Sequence, residues 1–370
     1  MSKAPSPAAA LPPRALARLA EGASLTLSSV PDGFDAIAIA EIARGLAGDA
    51  ETPVVATVVA RDGQRAQALV RALAFVAPQI EILDFPAWDC QPYDRVSPAP
   101  QIAAQRMTTL ARLARAKTSP ERPRLLLTTV NAILQRVPPK ARLLADSFSA
   151  QPGNVIAMDS IVQWLEVNGF LRTGTVGETG EYAVRGGIVD MWPPGLATPV
   201  RLDFFGDSLE SIRAFDPETQ RTTTTLRSLD FVPMSEVQLT TATIKRFRQG
   251  YATAFGAPTR DDLLYEAVSE GRRYAGLEHW LPLFHESLGT LFDYCADAPV
   301  ILDALAEDAA GERLGTIKDY HDARRSQMEA PQAGIAPYRP LPPNALYLAP
   351  DEWAGARARA RRVRRPPRAS

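Results

Sequence analysis

Sulfur, histidine and long apolar runs are all scarce in this sequence, and each shortage closes off a class of function. The 370 residues include two cysteines, Cys90 and Cys295, far apart and without a short-spaced Cys or His to complete a zinc site. No disulfide framework is expected, and a reducing cytoplasmic setting fits. The three histidines, His279, His285 and His321, fall in one C-terminal region with no motif-spaced nucleophile or HExxH partner, so structural roles are expected of them. No run approaches the ~18 apolar residues of a membrane span, and no membrane partner is expected. Prolines interrupt the opening MSKAPSPAAALPPRALARLAEG, where a secretory signal needs an unbroken apolar core. A formal net charge of −1 gives no global pull towards nucleic acid or an anionic membrane. Only the tail, GARARARRVRRPPRAS, is strongly basic.

What is present is the composition of a globular protein of two or three domains, 46% hydrophobic and 22% charged. AIAIAEIARGLAG, from Ala36 to Gly48, has helical periodicity, and PVVATVVA from Pro53 reads as a buried strand of parallel type. A helix over Gly63 to Phe75, a strand over Ile80 to Phe85, a helix over Pro100 to Ala116 and a strand over Arg124 to Val130 continue the alternation, which is that of an α/β domain. Near residue 150 the character changes. Asp159 is a candidate N-cap for a helix ending at Asn168-Gly169. FLRTGTV, EYAVRGGIVDMW, VRLDFFG and ESIRAFD follow, punctuated by GETG, PPG, GD and DPET as antiparallel hairpins would be. Beyond Glu236, TIKRFRQGYATAF and RDDLLYEAVSEG are helical in period, and strand-like PVILD precedes a helix from Ala304 to Arg325. PYRPLPP from Pro337 reads as an extended segment leading out of the fold. The expected division is a flexible leader over 1–20, an α/β segment over 21–149, an α+β unit over 150–236, a second α/β segment over 237–340, and a linker with basic tail over 341–370.

Reactive constellations are missing. Where an α/β domain of this kind would carry the phosphate loop GxxxxGK[ST], this chain has LSSVPDGFDAIAIAEIA. Gly33 is present but lysine is not, and Asp32 and Asp35 bring negative charge to a helix N-terminus that would otherwise favour phosphate. Nucleotide binding, and with it any cofactor, is not expected there. The carboxylate pairs Asp89 with Asp94 and Asp203 with Asp207 read as solvated loop charge, with Gly206 and Asp207 as ordinary turn residues.

Several longer stretches are more specific. FPAWDCQPYDRVSPAPQIAAQRMTTLARL (Phe85 to Leu113) and LLLTTVNAILQRVPP (Leu125 to Pro139) resemble the first domain of bacterial transcription-repair coupling factors. GEYAVRGGIVDMWPPG (Gly180 to Gly195) and RLDFFGDSLESIRAFDPETQRT (Arg201 to Thr222) resemble both coupling factors and UvrB, while FDPETQRT and GLEHWLPLF (Gly276 to Phe284) point to the former. The resemblance covers about residues 20 to 350. It implies a split UvrB-like α/β domain, a degenerate relative of the P-loop NTPases, interrupted by a small α+β domain that binds UvrA in nucleotide-excision repair. UvrB's phosphate loop and aromatic hairpin have no counterpart here, since PYDRVSP runs directly into the next helix. The family's ATP- and Mg-dependent DNA translocase and its RNA polymerase-binding domain lie C-terminal to such a module, and no Walker lysine appears before Ser370. The expectation is a truncated, non-enzymatic docking module of transcription-coupled repair. A UvrB-type ATP-dependent repair protein and an unrelated α/β binding protein are the competing readings.

By the same resemblance the UvrA contacts fall on Arg185 in YAVRGG and Arg172 in GFLRTG, with Trp192 where the family has an aromatic residue. The planar donor fork of arginine suits partner carboxylates. In simple alternation Arg185 faces away from Tyr182, Val184 and Ile188, although Gly186 and Gly187 could bulge and reset it. Alternatively Arg185 pairs with Glu181 or Glu178, the family arginine aligns with Leu171 rather than Arg172, and Trp192 is core. For the Arg-rich tail, a disordered end with no selected role is expected, with weak, salt-sensitive adhesion to nucleic acid as the alternative.

Overall fold

The structure, a computed structural model, describes residues 11–364 apart from 12, 21–23, 29, 32, 48–52, 116–121, 260, 296–297, 330–337 and 360–361. In the first part of the chain, strands and helices alternate: β1 (Leu25–Thr26), helix Phe34–Leu46, β2 (Ala56–Ala60), helix Gly63–Val76, β3 (Glu81–Phe85), helix Pro100–Arg115 and β4 (Arg124–Thr129). β2 is buried along its whole length. Helices cover both faces of its sheet, so β2 and β4 have no polar side to show in sequence. Leu125 and Leu127 of β4 pack with Ile42 and Leu69 in one layer, while Leu126 packs with Met107 and Leu110 in the other. The helix at Gly63 starts where Asp62 accepts a hydrogen bond from the Arg65 backbone N–H, an N-cap worth about 1 kcal/mol.

The chain then builds β5 (Phe148–Ala150), helix Met158–Val167, β6 (Leu171–Arg172), β7 (Glu181–Arg185), β8 (Ile188–Met191), β9 (Val200–Phe205), β10 (Ser208–Phe215), β11 (Thr222–Thr225) and β12 (Leu229–Phe231). β6 to β11 form one sheet in the order β11-β10-β9-β8-β7-β6, antiparallel except for the β6–β7 pair. Ile161 and Leu165 of the helix cover one face, against Tyr182, Val189, Leu202 and Ile212. Asp159 is not the N-cap. Ala157 holds that position without a side-chain bond, and Asp159 sits in the first turn, where its charge favours the positive helix end. β5 and β12 pair antiparallel, joining the strand that enters this sheet's subdomain to the strand that leaves it.

The return stretch adds helices Thr241–Phe255 and Leu263–Ser269, β13 (Val300–Leu302), helix Ala306–Glu329, short helices Pro343–Leu346 and Pro350–Arg359, and β14 (Arg362–Arg364). The first sheet is thereby completed as β1-β14-β13-β2-β4-β3, with every pair parallel. Two expectations are corrected here. The proline-rich stretch does not leave the fold: Tyr338, Leu341 and Tyr347 are buried in a third core with Trp88, Phe247 and Trp280. Pro337 itself lies outside the described residues. Nor is the basic tail wholly an unstructured end, since Arg362–Arg364 forms a strand between β1 and β13. Two backbone neighbours satisfy such a strand without any apolar pattern of its own. Among the described residues no helix is long and apolar enough to cross a membrane.

The point where the chain leaves the second sheet is fixed by charge. Arg106, with no exposed surface, donates from Nε to Glu236 Oε1 at 2.6 Å and from Nη1 to the Pro86 carbonyl at 2.8 Å. Trp88 donates to the same Glu236 oxygen at 3.2 Å, and the guanidinium stacks 4.2 Å from the Phe85 ring centre. Arg273 holds the neighbouring backbone at the Val237 carbonyl, 2.7 Å away. Removing one partner of a buried pair strands the other charge. Arg106→Ala is therefore expected to lose about 3–5 kcal/mol in urea unfolding, whereas Arg106→Met with Glu236→Leu regains most of it. Equal losses in the single and double variants would show that the pair is not what holds the joint.

Candidate partner-binding face

β1, the loop after it and helix Phe34–Leu46 reproduce the strand–loop–helix geometry at which phosphate loops operate, but protein charges fill the position. Arg65 pairs with Asp35 in the first turn of the helix and, at 3.0 Å, with Asp303 just after β13. Burial alone would lower the Arg65 pKa, but hydrogen bonds with Asp303 and Asp35 more than offset it and raise it. The cavity left beside this triad is about 40 Å³, lined by Leu27, Ile39, Val58 and Leu302 among others, far below the ~300 Å³ of the smallest usual ligand pockets. Asp32 lies outside the described residues.

The histidines serve packing. Trp88 meets the His279 ring edge-on at 5.6 Å, and Cys90 Sγ lies 3.9 Å from its Nε2. Burial lowers the His279 pKa to about 4. Burial, helped by Asp89, Glu278 and Asp94, pushes the Cys90 thiol up to about 12. The two are a neutral pair, the reverse of a thiolate–imidazolium nucleophile. His285 Nε2 lies 3.3 Å from the Glu236 carbonyl oxygen, and His321 stands by Asp322 at 3.1 Å. Among the described residues no group of His, Cys, Asp and Glu could hold a metal ion. Asp89 and Asp94 accept backbone N–H bonds from Ala99 and Arg95, which leaves them as loop carboxylates. An open groove of about 360 Å³ runs between helix Pro100–Arg115 and the turns at Thr179 and Gly195. Its Asp84 is already bonded by Gln105 at 2.6 Å.

The face of the second sheet turned away from its helix is more distinctive. Cross-strand pairs place Arg185, Ile188 and Asp203 in one row, and Ala183, Asp190, Arg201 and Arg213 in the next. Arg201 grips Asp190 through two hydrogen bonds of 2.7 and 2.8 Å, and Arg213 pairs with Asp203 at 2.6 Å. Hydrogen bonding to Asp190 raises the Arg201 pKa. Arg185 is different. It is exposed, and its Nη2 donates to the Gly174 carbonyl at 2.6 Å and to Thr175 Oγ1 at 3.0 Å. Neither Glu181 nor Glu178 is its partner: the Glu181 carboxylate accepts the Gly177 and Glu178 backbone N–H groups instead. The two glycines form a turn and not a bulge. Gly186 has φ +57°, and a Cβ on Gly187 would stand 2.8 Å from the Phe204 carbonyl oxygen. As its cross-strand partner, Ile188 lies on Arg185's side of the sheet, against simple alternation through the turn.

The other two candidates are not beside Arg185. Arg172 is in register with Tyr182, whose side chain enters the helix-covered core, and Leu171 is in register with Glu181. Arg172 thus belongs to the opposite face of an edge strand, while Leu171 shares Arg185's face. Trp192 is half-buried in a small apolar cluster with Val176, Ala183 and Phe215, and its Nε1 donates to the Leu196 carbonyl at 3.0 Å.

Comparison with known proteins gives this face a context. Residues 148–237 match the family described as the UvrB interaction domain. The chain is 34% identical over 328 residues to the transcription-repair-coupling factor of Haemophilus influenzae, a match covering 88% of this chain and 27% of that protein. It is 31% identical over 318 residues to the Escherichia coli protein of the same name (85% and 26%), and 26% identical over 271 residues to that of Bacillus subtilis (70% and 22%). The chain spans about a quarter of the length of these relatives.

The buried imidazole has a consequence for stability. An unfolded histidine takes up its proton near pH 6.5, whereas folded His279 does so only near 4. Its contribution is complete above the unfolded value and is lost as pH falls through that window. The melting temperature should therefore fall between pH 6.5 and 4, and fall less steeply in His279→Gln. Identical pH slopes in the two chains would count against a neutral buried His279.

Proposed function

We propose that this chain, a homologue of part of the transcription-repair-coupling factors that carries a UvrB interaction domain, is a non-catalytic docking module for UvrA in nucleotide-excision repair. The observation that carries the reading is the match over residues 148–237, which contains the sheet that displays Arg185 on the face turned away from its helix. On this reading the chain divides as expected from sequence, with an α+β docking unit over 150–236 inserted into a split α/β domain. Arg185 is the anchor. Trp192 packs on the same face beside Ala183 and Phe215, and Arg172 contributes from the sheet edge. RNA polymerase, DNA, ATP and Mg belong to regions of the coupling factors that this chain does not match.

The competing ATP-dependent reading is disfavoured by the Asp35–Arg65–Asp303 triad, which puts carboxylates where phosphate charge would have to sit. Titration calorimetry with Mg-ATP is expected to give no saturable heat. Saturable binding lost on changing Arg65 would restore the nucleotide reading.

Docking is tested by Arg185→Glu in a titration of UvrA against the 370-residue chain. Losing an arginine anchor commonly costs ~2 kcal/mol or more, roughly thirtyfold in affinity, and a carboxylate in its place adds repulsion. The melting curve should barely move, since Arg185 is exposed and bonds only to one loop. A folded Arg185→Glu chain with unchanged affinity would remove this strand from the docking site.

A further inference from the structure

Two large apolar side chains on the second sheet are almost wholly open to solvent: Val155 at 83% and Phe205 at 81%. They flank a single residue, Ser208. Val155 bridges to Ser208, and Ser208 pairs across the β9–β10 turn with Phe205, so the three form one cross-strand row. Alternation along β9 sends Leu202 and Phe204 into the helix-covered core and leaves Phe205 on the side of Asp203. Asp203 pairs with Ile188, and Ile188 with Arg185. The apolar row is therefore one step beyond the row of Arg185, on the same face, with the Phe205 backbone roughly 12 Å from that of Arg185 by strand spacing and rise and Val155 two strands further out.

The backbone beneath this row is pinned. Phe204 N–H donates to Gly187 O at 2.8 Å, Leu209 N–H to Asn154 O at 3.0 Å, and Ile156 N–H to Asp207 O at 2.8 Å. Phe205 and Val155 are thus displayed from paired strands, at little ordering cost when a partner arrives. Asp207 stands in the turn between Phe205 and Ser208, and Arg185 one row away. Arg201 and Arg213 are neutralised by Asp190 and Asp203, whereas Arg185 meets only a carbonyl and a hydroxyl among the described residues. An exposed apolar pair beside one uncompensated guanidinium fits an apolar pocket with a carboxylate on its rim.

We infer that Phe205 and Val155 are the apolar anchor of the docking face, and that UvrA receives them in an apolar pocket whose carboxylate rim meets Arg185. This rests on the docking reading above. The test is titration of UvrA against the 370-residue chain and its Phe205→Ser, Val155→Ser and Phe75→Ser variants. Phe75 is as exposed, at 87%, but stands on helix Gly63–Val76, outside the matched domain. Phe205→Ser should weaken binding roughly thirtyfold, Val155→Ser several-fold, and Phe75→Ser not at all, with all melting curves superimposed. If the unaltered chain does not bind UvrA, the docking reading itself fails. If it binds, and Arg185→Glu abolishes binding while Phe205→Ser leaves it intact, docking stands and the apolar anchor is overturned. A Phe205→Ser chain that melts several degrees lower also overturns it, because the ring would then be serving the fold.

Discussion

Arg106 carries a full positive charge into a site with no solvent exposure, and the chain meets that charge from three directions. Glu236 neutralises it, the Pro86 carbonyl accepts a second N–H, and the Phe85 ring lies under the guanidinium plane. Burying such a pair gains little stability over an apolar pair of the same shape. What it adds is position. Arg106 stands on a helix of the first domain, and Glu236 lies just beyond the last strands of the second, so satisfying the charge fixes where the inserted sheet's exit meets its host. Arg273, bonding Ser235 and Val237, closes the same joint from the returning chain.

A second buried charge set shows how a site can be closed without changing its frame. The parallel sheet retains strand, loop and helix N-terminus at the place where a nucleotide would sit. Arg65 and its two aspartates occupy it with charge of the protein's own, and aliphatic side chains from β2, β13 and helix Phe34–Leu46 leave only a small cavity. On the proposed docking reading the first domain serves as a scaffold, and display falls to the inserted sheet. There the division between faces is strict, with one side packed on a helix and the other carrying Asp–Arg pairs, a loop and the exposed row at the turn.

Much of this was legible in sequence where burial imposes a pattern. β2 and β4 lie between two helical layers and so appear as unbroken apolar runs. The inserted hairpins show their alternation and their turns. Legibility ends where long-range partners decide. Tyr338, Leu341 and Tyr347 follow no period because each fills a gap in a core built from residues 88–93, 237–284 and 317. Arg362–Arg364 is placed by backbone pairing with β1 and β13. The outward aspect of Arg185 could be read from alternation, but its acceptors lie in a loop ten and eleven residues upstream. Val155 and Phe205 are fifty residues apart and are brought into one row only through Ser208.

Arginine at position 185 answers two demands that lysine cannot meet together. Through Nη2 it holds the loop at Gly174 and Thr175 against the sheet. Its Nε and Nη1 donors, in the same rigid plane, take no acceptor from the described residues. A lysine has one ammonium centre, and spending it on the loop would turn its charge inward. With Nη2 held by the loop, the Nε and Nη1 donors stay in the same rigid plane, so fastening the loop also fixes the orientation of the donors that are left. The tight turn at Gly186 and Gly187 keeps the end of this strand against Phe204, which holds the guanidinium and the neighbouring apolar row at a constant separation. If the surface docks a partner as proposed, one arranged in this way would lose little freedom on association, and its specificity would lie in the distance between one charge and one ring.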